Sequence, residues 1–202
     1  MKKLLLINSS LFGANGESSQ LTNQFVTQWH EHNPRAQITI RDVATNPIPH
    51  LDAERVTAFF THAENRTQSQ QQIVTQSDVL IEEVKEAQII VIGLPMYNFG
   101  IPSTLKSYFD HIARAGITFK YTENGAVGLL ADKKVYVFAT RGGMYAGTPL
   151  DTQTDYVRNF LAFIGITDVE FIYAEGLNMG EERKKLALET ATTKLTELAK
   201  IA

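Results

Sequence analysis

Short apolar runs and longer amphipathic stretches alternate along this chain of 202 residues. Leu4 to Ile7 is a continuous apolar run, as expected of a strand covered on both faces. Leu21, Phe25 and Trp29 then recur every four residues with Val26 beside them, which predicts a helix closed by Pro34. Gln37 to Arg41 alternates apolar and polar side chains and predicts an edge-like second strand. Asn46 to Pro49 reads as a loop, and Leu51 to about Phe60 as a short helix; Phe59 and Phe60 either line a site mouth or, the favoured reading, are local core. A polar stretch through Gln72 gives way to Ile73, Val74, Leu80, Ile81 and Val84 at helical spacing. Gln88 to Leu94, rich in branched side chains, predicts a buried third strand. Pro102 then sits near the first position of a helix, where proline is favoured. Its buried stripe is Leu105, Tyr108, Phe109 and Ile112, with Gly116 as the residue just past its end. Lys134 to Thr140 is a fourth strand, Asp151 to Ile164 a helix carrying Phe160, Leu161 and Phe163, and Asp168 to Ala174 a fifth strand. The last helix runs from Gly180 or Glu181 to Ala202, with Leu186, Leu188, Leu195 and Leu198 apolar.

Strands separated by helical patterns predict a single α/β domain over residues 1–202, a doubly wound, five-stranded parallel sheet with helices on both faces. Right-handed crossovers and a flavodoxin-like strand order 2-1-3-4-5 place the loops after the first and third strands at the point where the order reverses, where ligands bind. One interruption stands out. Ile117 to Tyr121 alternates, and Asn124-Gly125 is a turn signal, so a small hairpin is inserted before the fourth strand. Its aromatics Phe119 and Tyr121 either project as a partner surface or site wall, or fold back onto the core.

Three loops carry candidate chemistry. Asn8 to Ser19 is rich in hydroxyls and glycine and leads into a helix. Amides at a helix start, with Ser9, Ser10, Ser18 and Ser19 beside them, suit an anion such as a phosphate. Ser18 or Ser19 as a simple helix cap is the other reading. The loop matches neither G-x-x-x-x-G-K-[ST] nor G-x-G-x-x-G and holds no lysine or arginine, which speaks against a triphosphate with magnesium. Pro95-Met96-Tyr97-Asn98-Phe99-Gly100 follows the third strand and suits a flat heteroaromatic ring, or is an ordinary loop with its aromatics packed inward. Thr140-Arg141-Gly142-Gly143 follows the fourth strand, and its glycines permit close backbone approach. Arg141 is either part of that site or a structural ion-pair partner. A phosphate site and two ring sites at one crevice point to a mononucleotide such as FMN.

Composition removes other classes. The net charge of −3 gives no reason to propose nucleic acid or an anionic membrane surface. The absence of cysteine excludes disulfides, thiolate metal sites and thiol nucleophiles. His111 has no metal-ligand spacing, so no metal site is expected. No apolar run is long enough to span a bilayer, and Met1 to Ile7 is too short for a signal peptide. A cytoplasmic location is therefore expected.

With these motifs in place, the chain resembles the FMN-dependent NADH-azoreductases, flavodoxin-like enzymes that also act as NADH:quinone oxidoreductases. The likeness is carried by P-M-Y-N-F at 95–99, A-R-A-G-I-T-F-K-Y-T-E-N-G at 113–125, R-G-G at 141–143, F-I-G-I-T-D-V at 163–169 and A-E-G at 174–176, with N-P-I-P at 46–49. It implies one non-covalent FMN per subunit, NADH as donor, a quinone or azo acceptor, and a homodimer with the site at its interface. Ser10, Gly16, Glu17 and Ser18 would then hold the phosphate. Met96, Tyr97, Asn98 and Phe99 would hold the ring, largely through backbone, and Thr140, Arg141, Gly142 and Gly143 would border its pyrimidine side. Tyr121 and Phe163 would wall the substrate face, partly from the neighbouring subunit, and Tyr145 and Phe60 stand where the family varies in ways that bear on substrate range. Gly16 also departs from a serine common in the family. The flavin carries the chemistry, so no catalytic side chain is expected. A flavodoxin-like electron carrier or flavin-binding sensor, without a hydride donor of its own, is the rival reading.

Overall fold

The computed structural model describes residues 1–202. Its strands are β1 (Lys3–Asn8), β2 (Gln37–Asp42), β3 (Ile89–Pro95), β4 (Phe119–Thr122), β5 (Gly125–Gly128), β6 (Lys134–Thr140) and β7 (Asp168–Ala174). Its helices are α1 (Glu17–His32), α2 (Ala53–Phe60), α3 (Gln68–Glu86), α4 (Ser103–Ile112), α5 (Thr152–Phe163) and α6 (Glu181–Ile201). The main sheet has the order β2-β1-β3-β6-β7, all neighbours parallel, which is the expected 2-1-3-4-5 order once the β4–β5 hairpin is set aside.

Why the sheet is covered on both faces follows from the period of two along each strand. Leu5, Ile7, Ile90, Ile92, Val135 and Val137 face one core with Leu80, Val84, Leu105, Phe109 and Leu161 of α3, α4 and α5. Leu4, Leu6, Ile89, Val91, Tyr136 and Phe138 face the other, with Phe25 and Trp29 of α1 and Leu195 and Leu198 of α6. Each fully buried side chain of this size contributes about 1.5–3 kcal/mol relative to exposure. Register then fixes the site. Pro95, Thr140 and Ala174 lie side by side, so β3, β6 and β7 end at one level and their loops emerge together.

Several local expectations are corrected. Phe60 is 74% exposed, while its neighbour Phe59 packs beside Ala58, Ile73 and Val74. Gly116, at φ 79°, lies beyond Ala113, which ends α4; it turns the chain into the hairpin and donates its amide to Phe119. α3 begins at Gln68, inside the polar stretch, because Thr67 and Gln70 form a reciprocal capping box.

The hairpin lies at the amino-terminal edge of the sheet, away from the three loops. Gly128 packs so closely on Gly165 that a Cβ there would sit 2.0 Å from the Gly165 nitrogen. Phe119 folds back onto Phe163 at 4.2 Å between ring centroids, whereas Tyr121 projects, 75% exposed. Phe119 thus folds back onto the core, and Tyr121 alone projects.

Candidate active site

The carboxyl ends of β1, β3 and β6 bring the three candidate loops together. In the first, Gly13 at φ 55° starts a short 3-10 turn, and Gly16 stands at the N-terminus of α1. No side chain caps that end, so neither Ser18 nor Ser19 is a cap, and the amides of the first turn keep their donors. The hydroxyls of Ser18 and Ser19 are buried without a partner in the chain. Ser9 is tied to the Gly93 carbonyl at 2.7 Å, and the Ser10 hydroxyl accepts from the Phe12 amide at 3.3 Å. The Glu17 carboxylate turns away to Lys184 of α6 at 2.5 Å. Only its backbone therefore faces an anion. Gly16 is required locally: a Cβ there would lie 2.0 Å from the Ser10 hydroxyl oxygen and 2.6 Å from its Cβ.

The second loop is a two-residue turn. Tyr97 and Gly100 exchange both backbone hydrogen bonds, at 3.1 and 2.9 Å, and Asn98 and Phe99 between them have φ of 50° and 63°. A left-handed phenylalanine is uncommon and strained, and persists only where its surroundings hold it. They do so here through α5. The buried Gln153 donates to the carbonyls of Pro95 and Gly100, each at 3.0 Å, and the Thr152 hydroxyl donates to that of Phe99. The amides of Asn98 and Phe99 have no partner in the chain. Met96 donates to the Thr140 carbonyl, and the Tyr97 phenol accepts from the Leu11 amide at 3.1 Å, tying this turn to the first loop.

In the third loop the carbonyls of Arg141, Gly142 and Gly143 accept from the amides of Leu177, Asn178 and Gly176. The amides of Gly142 and Gly143 remain without a partner. Arg141 proves to be a structural ion-pair residue. Its guanidinium is fully buried against Asp151 at 2.7 Å and Glu175 at 3.1 Å, and its amide is bonded to Ala174. Burial pushes the Asp151 carboxyl up, but hydrogen bonds from Arg141 and Thr154 outweigh this and hold it below the usual range. Tyr145 folds over Gly143 and meets Phe99 edge-on at 5.4 Å, bridging two loops at the crevice mouth.

Together these groups fit a mononucleotide: an uncapped helix start with serine hydroxyls for a phosphate, and free amides on two further loops for the polar edges of a ring. Thr140, at the end of β6, is buried between Pro95 and Ala174. Phe163 and Tyr121 are not brought to this crevice within one chain. Phe163 lies at the far end of α5, about 17 Å along its axis from Thr152. Phe60 ends α2, and its neighbour Phe59 meets His111 near the last turn of α4, so Phe60 is also remote. Sequence reasoning missed Thr152, Gln153 and the roles of Asp151 and Glu175. Asp151 was legible as a helix cap, since it accepts from the Thr154 amide.

A family model described as a flavodoxin-like fold matches residues 2–199. The chain belongs to this flavodoxin-like family. Within it, the chain is 60% identical over 187 residues to an FMN-dependent NADH:quinone oxidoreductase of Cellvibrio japonicus, covering 93% of this chain and 94% of that protein. It is 58% identical to a protein of the same name from Alcanivorax borkumensis, covering 95% and 97%. Among solved flavodoxin-like structures, an FMN-dependent NADH-azoreductase of Bacillus anthracis in complex with FMN superposes with a TM-score of 0.89 at 27% identity, covering 98% of each chain.

Proposed function

We propose that this chain is an FMN-dependent NADH:quinone oxidoreductase that also reduces azo compounds. The observation that carries this reading is the convergence of three loops whose donors are left over: the start of α1, the amides of Asn98 and Phe99, and those of Gly142 and Gly143. The names of the Cellvibrio and Alcanivorax relatives agree with it. FMN, held by these residues, would supply the redox chemistry that links hydride donation by NADH to two-electron reduction of an acceptor.

The chain's own residues bind and orient. The first turn of α1 holds the phosphate through its amides, with Ser10 and Ser18 beside it, and Gly16 lets the loop close on Ser10. The turn at Asn98 and Phe99 fixes one edge of the ring with donors that need no reorganisation, and Gly142 and Gly143 do the same at the pyrimidine side. Tyr145 and Phe99 form the apolar mouth over which a flat donor or acceptor stacks.

The active form is a homodimer. Tyr121 and Phe60 are exposed and remote from their own crevice, together with Val127 and Leu129 of the hairpin region. That placement suits a wall supplied by Tyr121 and Phe163 to the site of a second subunit. No helix is long and apolar enough to cross a membrane, and an NADH-dependent role fits the cytoplasm.

The test is the visible spectrum of protein dialysed against excess FMN, before and after anaerobic NADH. Prompt bleaching, followed by parallel initial-rate lines with NADH and a quinone, is expected. A flavin spectrum that persists with both NADH and NADPH would replace this reading with that of an electron carrier or sensor.

A further inference from the structure

Behind the loop after β6 lies a buried charge cluster that flavin binding does not itself require. The Arg141 side chain is 0% exposed, Asp151 7% and Glu175 12%. One guanidinium stands between two carboxylates, and neither carboxylate has another basic side chain within ion-pair distance. The cluster therefore carries a net negative charge. One oxygen of Glu175 accepts three donors: the Arg141 guanidinium at 3.1 Å and the amides of Tyr145 and Ala146, each at 2.9 Å.

This leaves the loop little slack. Its carbonyls from Arg141 to Gly143 are bonded to residues 176–178, and its later amides to Glu175. The amides of Gly142 and Gly143 have no partner in the chain. Such an arrangement holds the free amides as fixed donors on a loop that is itself bonded to an incompletely neutralised carboxylate pair.

We propose that Glu175 is a positioning residue for the bound flavin: its carboxylate fixes the loop that carries the Gly142 and Gly143 amides, and its charge holds the flavin's reduction potential down. This rests on the FMN reading above. Two-electron reduction by hydride adds negative charge to the ring system, and a buried carboxylate bonded to the loop that borders the ring opposes that gain more strongly than an exposed one would. The amides favour the same charge. The potential is thus set by two opposed effects that one side chain links.

The two parts separate with two variants. Glu175→Gln keeps an acceptor oxygen for Tyr145 and Ala146 but removes the charge. Glu175→Ala removes both. FMN affinity is read from fluorescence quenching, and the midpoint potential from reduction against a reference dye. Glu175→Gln is expected to bind FMN within a few-fold of the parent protein and to have a higher potential. Glu175→Ala is expected to bind FMN about tenfold more weakly, in line with the loss of hydrogen bonds to a charged group. An unchanged potential in Glu175→Gln overturns the electrostatic part, and undiminished affinity in Glu175→Ala overturns the positioning part. If Glu175→Ala fails to fold, weaker FMN binding by Asp151→Asn, which loosens Arg141 from the other side, is the expected substitute result, and unchanged binding overturns it. A parent protein that binds no FMN would defeat the functional reading itself, before any variant is made.

Discussion

Replacing Gln153 by methionine tests whether α5 holds the strained turn at 95–100. The side chain is fully buried, and its amide nitrogen donates to the carbonyls of Pro95 and Gly100, each at 3.0 Å. Methionine keeps the approximate volume, so cavity formation adds little. Two hydrogen bonds are lost, each worth about 1 kcal/mol net; the Gly100 carbonyl still accepts from the Tyr97 amide, so the further cost of about 1–3 kcal/mol for a dry carbonyl without a partner falls on Pro95 alone. One compensation exists. The Gln153 carbonyl oxygen is itself buried without a partner, so its removal returns roughly 1 kcal/mol. The expected net loss is about 1–3 kcal/mol. For a chain of this size each kcal/mol lowers Tm by about 2–4 °C, so a fall of roughly 2–12 °C is expected. The consequence for function is larger than the fall in Tm. Asn98 and Phe99 hold positive φ at a cost of about 1–2 kcal/mol each, and Gln153 is one of the contacts that keep them there. Release lets the turn relax and withdraws the two free amides. Thermal melts of the apoprotein and FMN titrations measure the two effects separately. An unchanged Tm together with unchanged FMN affinity would refute the reasoning.

Tyr108 is fully buried with its hydroxyl unpaired, and burial pushes its pKa far up, so Tyr108→Phe should leave Tm unchanged or raise it; a clear fall in thermal melts would mean that the hydroxyl has a partner. Gly16→Ala should weaken FMN binding and lower Tm because its Cβ meets Ser10, and Ser10→Gly in the same chain should recover much of the Tm loss but not the FMN affinity, since it also removes a phosphate-side hydroxyl; a double-mutant cycle on Tm measures the coupling. His111 is buried, and this desolvation holds its pKa below the usual value although Ser107 favours its protonated form. The unfolded chain therefore binds its proton first, and stability should fall as pH drops below about 6.5. Melts of His111→Phe between pH 7.5 and 5 should lack that part of the fall, and an identical pH dependence would count against it.

How much of this was legible in the sequence depended on range. The strands were visible because Leu4 to Ile7, Gln88 to Leu94 and Lys134 to Thr140 are apolar on both alternations, which only a sheet covered on both faces accounts for. The crevice was visible because its three loops each follow such a strand. Phe60 was misplaced because hydrophobicity alone does not say which of two adjacent apolar residues of a helix faces outward. The start of α3 was hidden by a polar run, although the Thr67–Gln70 capping box marks it.

Arg141 shows where sequence reading stops. As one residue of R-G-G in a candidate loop, it invited a place in the ring site as much as an ion pair. Its partners lie 10 and 34 positions further on, at Asp151 and Glu175; the alignment of β6 with β7 brings Glu175 to it, and the chain's return into α5, which Asp151 caps, brings the other. A guanidinium 0% exposed must be neutralised by carboxylates nearby, and the two that do so also anchor the loop and the first turn of α5. Thus one buried cluster of two ion pairs links the Gly142–Gly143 loop to the helix whose Thr152 and Gln153 hold the Asn98–Phe99 turn. The two ring-facing loops are not independent features that happen to be adjacent. They are parts of one hydrogen-bonded unit, so damage to either end should be felt as a change in how the other presents its donors.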